Sequence, residues 1–268
     1  MTSGPTSPVS NLAVEPVPLS LEVAVEQLLS EDLSQRYYAA WYLGTTADPR
    51  AVDPLLVALQ DDADRTVLGG YPLRRNAAKA LGLIGDRRAV PGLIQALDCN
   101  DDHLVEEVAY ALAQLGDPVA LPALIDLLRD PAAPHRPWEA LIETVGQLGG
   151  RQAEALIRPF LGHRSERVQS AAAWVLYRFT GDESLTEVLL RLLSSENPIL
   201  RQAALFDVAE SGWLGGIEAV ITADVAVNLR IMALKRLYEV AVSGWSQEQS
   251  AQIQNLAQRV IPWMDQLF

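Results

Sequence analysis

The chain repeats itself, and that constrains its fold more than any other feature. Ala77-Ala78-Lys79-Ala80-Leu81-Gly82 runs on to Gly85-Asp86 and Ala89-Val90-Pro91. Ala39-Ala40-Trp41-Tyr42-Leu43-Gly44 runs on to Asp48 and Ala51-Val52 at the same spacing, and Ala109 to Ala113 with Gly116-Asp117 and Ala120-Leu121-Pro122 is a third copy. Weaker copies occur at Gly149-Gly150, Gly181-Asp182 and Gly212. Marker positions 85, 116, 149, 181 and 212 are spaced by 31, 33, 32 and 31 residues, whereas the step from Ala47 to Gly85 is 38. A period in this range is that of stacked supersecondary units, none of which buries a core alone.

Each unit reads as helix, tight turn, helix. Leu73, Ala77, Ala80 and Leu81 fall at helical spacing. Gly85 sits where a C-terminal glycine with positive φ belongs, Asp86 can cap the next helix, and Pro91 falls in the first turn of that second helix. The Thr-Pro-Leu-His signature of ankyrin units and the Trp-Leu-Gly-Tyr pattern of tetratricopeptide units are absent. The expected fold is all-α, a right-handed α-solenoid of HEAT-like helix pairs with about six to seven repeats. Residues 1–20, with Pro5, Pro8, Pro16 and Pro18, read as a flexible arm. Residues 21–268 are expected to form the solenoid, with a closing helix in the tail from Ser246 to Phe268.

Composition narrows the function classes. The net charge of −13 disfavours a nucleic-acid partner, because phosphate backbones repel an acidic chain. No run of about 18 apolar residues is present, so no membrane span is expected. The one cysteine, Cys99, cannot form an internal disulfide, and the acids around it in Asp98-Cys99-Asn100-Asp101-Asp102 blunt a thiol. His103, His135 and His163 lie in different units without paired His-Glu motifs, so no metal is expected. No Gly-rich phosphate loop, Cys-x-x-Cys pair or Gly-x-Ser-x-Gly elbow occurs.

Two longer strings say more. They are Arg36-Tyr37-Tyr38-Ala39-Ala40-Trp41-Tyr42-Leu43-Gly44 and the run from Asp64 to Ala78, Asp-Arg-Thr-Val-Leu-Gly-Gly-Tyr-Pro-Leu-Arg-Arg-Asn-Ala-Ala. The second spans the unit that carries the insertion. Both resemble the E-type (alpha) subunits of phycocyanobilin lyases, and the resemblance covers nearly the whole chain after the arm. It implies an enzyme subunit of a cyanobacterial cytoplasm that works as a heterodimer with an F-type HEAT subunit. The pair would add a cysteine thiol of the phycocyanin alpha apoprotein across the ethylidene double bond of phycocyanobilin, giving a thioether. The bilin is then a substrate, and no cofactor is implied.

A bilin offers a wide π face, pyrrole N–H groups and two propionates, which call for aromatics, carboxylates and cations. The slot inside Ala-Ala-x-Ala holds Trp41, Lys79, Tyr110, Glu143, Trp174 and Phe206 in successive units, the last two on the assumption of one extra residue before Gly181. Equivalent positions of a solenoid stack into a stripe, and one this aromatic suits a binding groove. Neighbouring slots add Tyr37, Tyr38, Arg75, Asn76, Glu106, Glu107 and Glu139. The expected bilin-binding set is Tyr37, Trp41, Tyr71, Arg74, Arg75, Asn76, Lys79, Tyr110, Trp138 and Trp174. Glu139 and Glu107 are the expected catalytic carboxylates. Trp41, Tyr71, Arg75, Asn76, Tyr110, Glu139 and Trp174 are expected on one concave surface, with Arg75 neutralising a propionate.

The residues also allow other readings. Aromatics of a repeat can pack within or between units. Arg74 can bond an Asp of the inter-unit turn, and Glu106 and Glu107 can be a solvated face. The chain can be a non-catalytic adaptor that binds a protein, or a lyase subunit for phycoerythrocyanin or phycoerythrin. An apolar C-terminal segment around Trp245, Ile253, Leu256, Ile261 and Trp263, or the arm, is expected to supply part of the partner interface.

Overall fold

Among the described residues, six helix pairs stack in chain order between a short helix and a long one. The computed structural model describes residues 20–63, 65–129 and 136–243, and Pro262. The arm before Ser20, Asp64, His135 and the closing segment with its expected interface lie outside the described residues. The leading helix is α1 (Leu21–Gln27). The first helices of the units are α2 (Leu33–Thr46), α4 (Pro72–Ile84), α6 (Asp102–Leu115), α8 (Trp138–Gln147), α10 (Glu166–Thr180) and α12 (Pro198–Ser211). Their partners are α3 (Val52–Leu59), α5 (Val90–Ala96), α7 (Leu121–Leu127), α9 (Glu154–Ile157), α11 (Thr186–Leu193) and α13 (Ile217–Thr222), and α14 (Val227–Val242) follows α13. No strand occurs among the described residues.

Local chemistry explains each corner. The first helices of four units end on a left-handed glycine, Gly85, Gly116, Gly181 or Gly212. In three of these the next aspartate (Asp86, Asp117 or Asp182) accepts a backbone N–H two residues on and starts a 3-10 turn into the second helix. Asp48 does the same in the first unit, where Ala47 holds the left-handed position at φ 51°. The fourth unit departs from this. Gly150 stands where the aspartate would be and provides no side-chain cap, and α9 runs only four residues.

The first helices form one continuous layer, each packed on the next from α2 to α14. Small residues bring them close. A Cβ on Gly82 would lie 2.9 Å from the Ala111 Cα, so the Leu-Gly of the repeat is a contact between neighbouring units. The core is the seam between this layer and the second helices, filled by Leu43, Leu55, Leu81, Leu93, Leu112 and Leu124 among others. Burying a side chain of that size stabilises by about 1.5–3 kcal/mol.

The insertion lies between α3 and α4. Its tip is a tight turn in which the Thr66 N–H donates to the Gly70 carbonyl at 2.8 Å and the Gly70 N–H to Thr66 Oγ1 at 3.0 Å. The Tyr71 N–H then donates to Asp101 Oδ2 at 2.9 Å, which ties the loop to the next unit.

Candidate functional site

The outer face of the first-helix layer carries the polar and aromatic residues, and its two halves differ. On α2, Tyr37 and Tyr38 are exposed and meet edge to face with centroids 5.6 Å apart. Trp41, one turn on, is 56% exposed. The Asn76 side-chain amide donates to the Tyr37 carbonyl at 3.2 Å and so joins α4 to α2. Lys79, the next turn of α4, is exposed and makes no ion pair among the described residues.

Beside it lies a cleft of about 390 Å³ lined by Lys79, Glu107, Tyr110, Ala111, Ala113, Gln114 and Gln147. Residues from α4, α6 and α8 thus converge on one depression. Burial raises the Glu107 carboxyl above its ordinary range, while Lys79 opposes the shift. Burial, and after it the Glu143 carboxyl, push the Tyr110 phenol well above its ordinary range, so it remains a neutral hydrogen-bond donor. The cleft therefore offers one cation, one perturbed acid, one phenol and two amides.

Across α8, α10 and α12 the face becomes a half-buried charge network around the buried Asp207. Arg167 pairs with Glu139 and lies 3.8 Å from Asp207. The Ser170 hydroxyl donates to Asp207 Oδ2 at 2.5 Å. Burial raises Asp207 to about 7 against the opposing pull of Ser170 and Arg167. Burial, with the carboxyls of Asp207 and Glu139, raises Glu143 to about 9. At the far edge Arg236 of α14 bonds Glu210 through two nitrogens at 2.6 and 2.9 Å.

The expected site residues therefore divide. Tyr37, Trp41, Asn76, Lys79, Glu107 and Tyr110 share the outer face. Three others brace the insertion. Arg75 grips Asp101 through Nε at 2.9 Å and Nη2 at 2.6 Å, so its fork is already filled by a carboxylate and is not open to a propionate. Arg74 donates to the Leu59 carbonyl and pairs with Asp62, both at 2.8 Å, so it serves the inter-unit turn. Its guanidinium lies 4.7 Å from the Tyr71 ring, so Tyr71 packs on a cation of its own chain.

Trp138 and Trp174 correct the sequence reading. Both are in the core rather than on a groove. Trp138 packs on Phe160 with centroids 5.0 Å apart. Trp174 is 1% exposed. A Cβ on Gly146 of α8 would lie 2.4 Å from a Val175 methyl and 3.0 Å from the Trp174 indole edge, so α8 and α10 pack closely there. Phe206 is half-buried against the core, so the stripe of exposed aromatics shrinks to α2. Glu139 is held by Arg167 and is not a free base. Cys99 is half-buried and free.

The sequence reading missed Arg167, Ser170 and Asp207, and it gave Glu143 a slot without a role. A signal was present in the spacing. Glu139 and Glu143 are one turn apart on α8, Arg167 and Ser170 one turn apart on α10, and Asp207 is the residue after the slot residue Phe206.

The family profile described as HEAT repeats matches residues 71–141 and 138–208, and that of the PBS lyase HEAT-like repeat matches residues 35–61. A phycocyanobilin lyase subunit alpha from Nostoc sp. is 44% identical over 261 residues, covering 93% of this chain and 94% of its own. The chain belongs to the phycocyanobilin lyase alpha-subunit family. A bilin biosynthesis protein PecE from Nostoc sp. is nearly as similar, 42% identical with 87% of this chain and 91% of its own covered. A solved structure of the complex of CpcE and CpcF of phycocyanin lyase from Nostoc sp. superposes with a TM-score of 0.82. It is 42% identical, and the match covers 98% of this chain and all of that one. The bilin-lyase HEAT solenoid is thus shared along almost the full length. No helix among the described residues is long and apolar enough to cross a membrane.

Proposed function

We infer that this chain is the E-type half of a heterodimeric bilin lyase of the cyanobacterial cytoplasm. Together with an F-type subunit it adds a cysteine thiol of the phycocyanin alpha apoprotein across the ethylidene double bond of phycocyanobilin. Sulfur bonds to one alkene carbon, a proton goes to the other, and the double bond becomes single. No oxidant or cofactor enters this balance, and the bilin is the substrate.

One observation carries the site. The exposed aromatics of α2 adjoin an unpaired lysine and a cleft with a perturbed acid. Trp41 and Tyr37 supply faces for the tetrapyrrole to lie on. Lys79, rather than Arg75, supplies the cation for a propionate. Glu107 and Tyr110 are placed to hydrogen-bond the polar edge of the bilin. Holding the bilin in one conformation lets binding energy serve the addition step.

Similarity to the PecE protein supports a second reading in the same class, attachment to a different phycobiliprotein. One coexpression separates the possibilities: this chain, an F-type subunit, the apoprotein and a bilin source. We expect the apoprotein to keep its colour after denaturation. A colourless apoprotein beside an intact heterodimer would point to the adaptor reading. Colour only on another phycobiliprotein would select the second lyase reading.

A further inference from the structure

The insertion ends in a feature that internal packing does not explain. Residues 60–71 separate α3 from α4, whereas residues 97–101 suffice between α5 and α6. At the tip Val67 is wholly exposed and Leu68 is 95% exposed. No other large apolar side chain among the described residues is as open to water. A lone exposed leucine calls for no explanation, but two adjacent apolar groups on a braced turn do.

The turn is held from within and from both sides. Besides the two bonds between Thr66 and Gly70, the Gly69 N–H donates to the Thr66 carbonyl at 2.8 Å. Gly69 adopts φ of 89°, a conformation that residues with a Cβ rarely take. Arg74 and Arg65 lie 4.7 and 5.8 Å from the centroid of the Tyr71 ring. Asp101 of the next unit accepts from the Tyr71 N–H and from the Arg75 fork. A carboxylate with 3% of its side chain exposed thus holds up a turn that presents two apolar groups to water. Groups already fixed in place lose little entropy on docking.

The tip stands at the mouth of the bilin cleft. Leu68, Gly69 and Gly70 border a hollow of about 440 Å³ together with Arg75, His103 and Arg136. The cleft itself borders Lys79 and Glu107. Arg75 and Lys79 are four residues apart on α4, and His103 and Glu107 are four apart on α6. Residues at that spacing share a helix face, so hollow and cleft are consecutive stretches of one groove between α4 and α6, roughly 6 Å apart.

We propose that Val67 and Leu68 are the docking anchor for the phycocyanin alpha apoprotein, entering an apolar pocket of that protein and bringing its acceptor cysteine to the cleft. This rests on the bilin-lyase reading of the cleft. The sulfur has to reach the bilin from outside, and the tip is exposed apolar surface beside its path. The area available favours this partner over the F-type subunit. The two side chains offer roughly 200 Å², whereas a stable complex buries about 800 Å² on each partner. So small an anchor fits a protein that leaves after every turnover. Asp102, His103 and Arg136 around the hollow supply a polar rim.

The test uses the heterodimer carrying Val67→Ser and Leu68→Ser together, with phycocyanobilin and the apoprotein. Attachment rates against apoprotein concentration should show KM raised about 10-fold or more and kcat nearly unchanged. Bilin affinity, read from the absorption of the non-covalent complex, and association of the two subunits, read by light scattering, should not change. Val67→Ile with Leu68→Met should keep the original KM. An unchanged KM in the Val67→Ser, Leu68→Ser heterodimer would overturn the proposal. So would dissociation of the two subunits, which assigns the tip to the F-type partner, or weaker bilin binding, which makes it part of the bilin site. Failure of the unaltered heterodimer to attach bilin would instead refute the lyase reading. Direct binding of labelled apoprotein to the two heterodimers then still judges the tip, and equal affinities would overturn its role.

Discussion

Trp41 and Trp174 occupy equivalent slots of the repeat, yet one is 56% exposed and the other 1%. The first-helix face is therefore two surfaces. From α2 to α6 it is open, aromatic and carries an unpaired lysine. From α8 to α12 the aromatics turn inward and charges pair with one another. The switch is at α8. There Gly146 lets α10 approach closely through Val175 and Trp174, and the fourth corner has Gly150 where four other corners have a capping aspartate. A repeat fixes the stacking of helices but not which side of each helix meets a ligand.

The largest expected contrast is between those two tryptophans. Trp174→Ala empties a core site and should cost about 3–5 kcal/mol of stability, read from denaturant unfolding. Trp41→Ala should stay within about 0.5 kcal/mol of the unaltered protein, as surface changes usually do. Equal losses at the two positions would erase the distinction between the halves.

Arg75→Ala comes next, and it separates bracing from ligand binding. It leaves Asp101, with 3% of its side chain exposed, without its partner. We expect a loss of about 2–3 kcal/mol, less than for a wholly buried pair because Arg75 keeps part of its side chain in water. Burial opposes ionisation of Asp101, but bonds from Arg75 and the Tyr71 N–H outweigh it and hold the carboxyl below its usual value of 3.8. A depressed folded value means stability that is present above the unfolded value and lost as the pH falls through the folded value. The gap between the variant and the unaltered protein should therefore close in acid. A gap that persists at low pH would show that Asp101 is not the reason for it.

The effect at Glu143 has a distinctive sign. Glu143 is raised from 4.5 to about 9 on folding. Across that window the native state holds a proton that the unfolded chain has released, so stability declines as pH rises. Glu143→Gln removes this dependence. Its melting temperature should exceed that of the unaltered protein by a margin that widens from mild acid to mild alkali. A margin independent of pH would place the ionisation elsewhere.

The solenoid was legible because its signals are local. Gly85 with Asp86, and Gly116 with Asp117, specify corners through backbone conformation and capping, whatever lies beyond them. Arg74 was legible as an alternative, since an arginine beside an inter-unit turn has carbonyls and carboxylates within reach. The partner of Arg75 was not, because Asp101 is 26 residues away and meets it only once the units stack. Trp138 and Trp174 were misplaced for a related reason. Slot alignment assumes that every first helix shows the same side, but the units vary from 31 to 33 residues.

The central claim is that bilin lies on the open half, across α2 and α4. Titrating phycocyanobilin into the purified heterodimer, with and without Trp41→Ala and Lys79→Ala together, tests it most directly. Loss of one stacking face and one charge-assisted contact should weaken binding by about 10–100-fold while the melting curve stays in place. Unchanged affinity and unchanged attachment in the double variant would contradict the claim and move the bilin off this face.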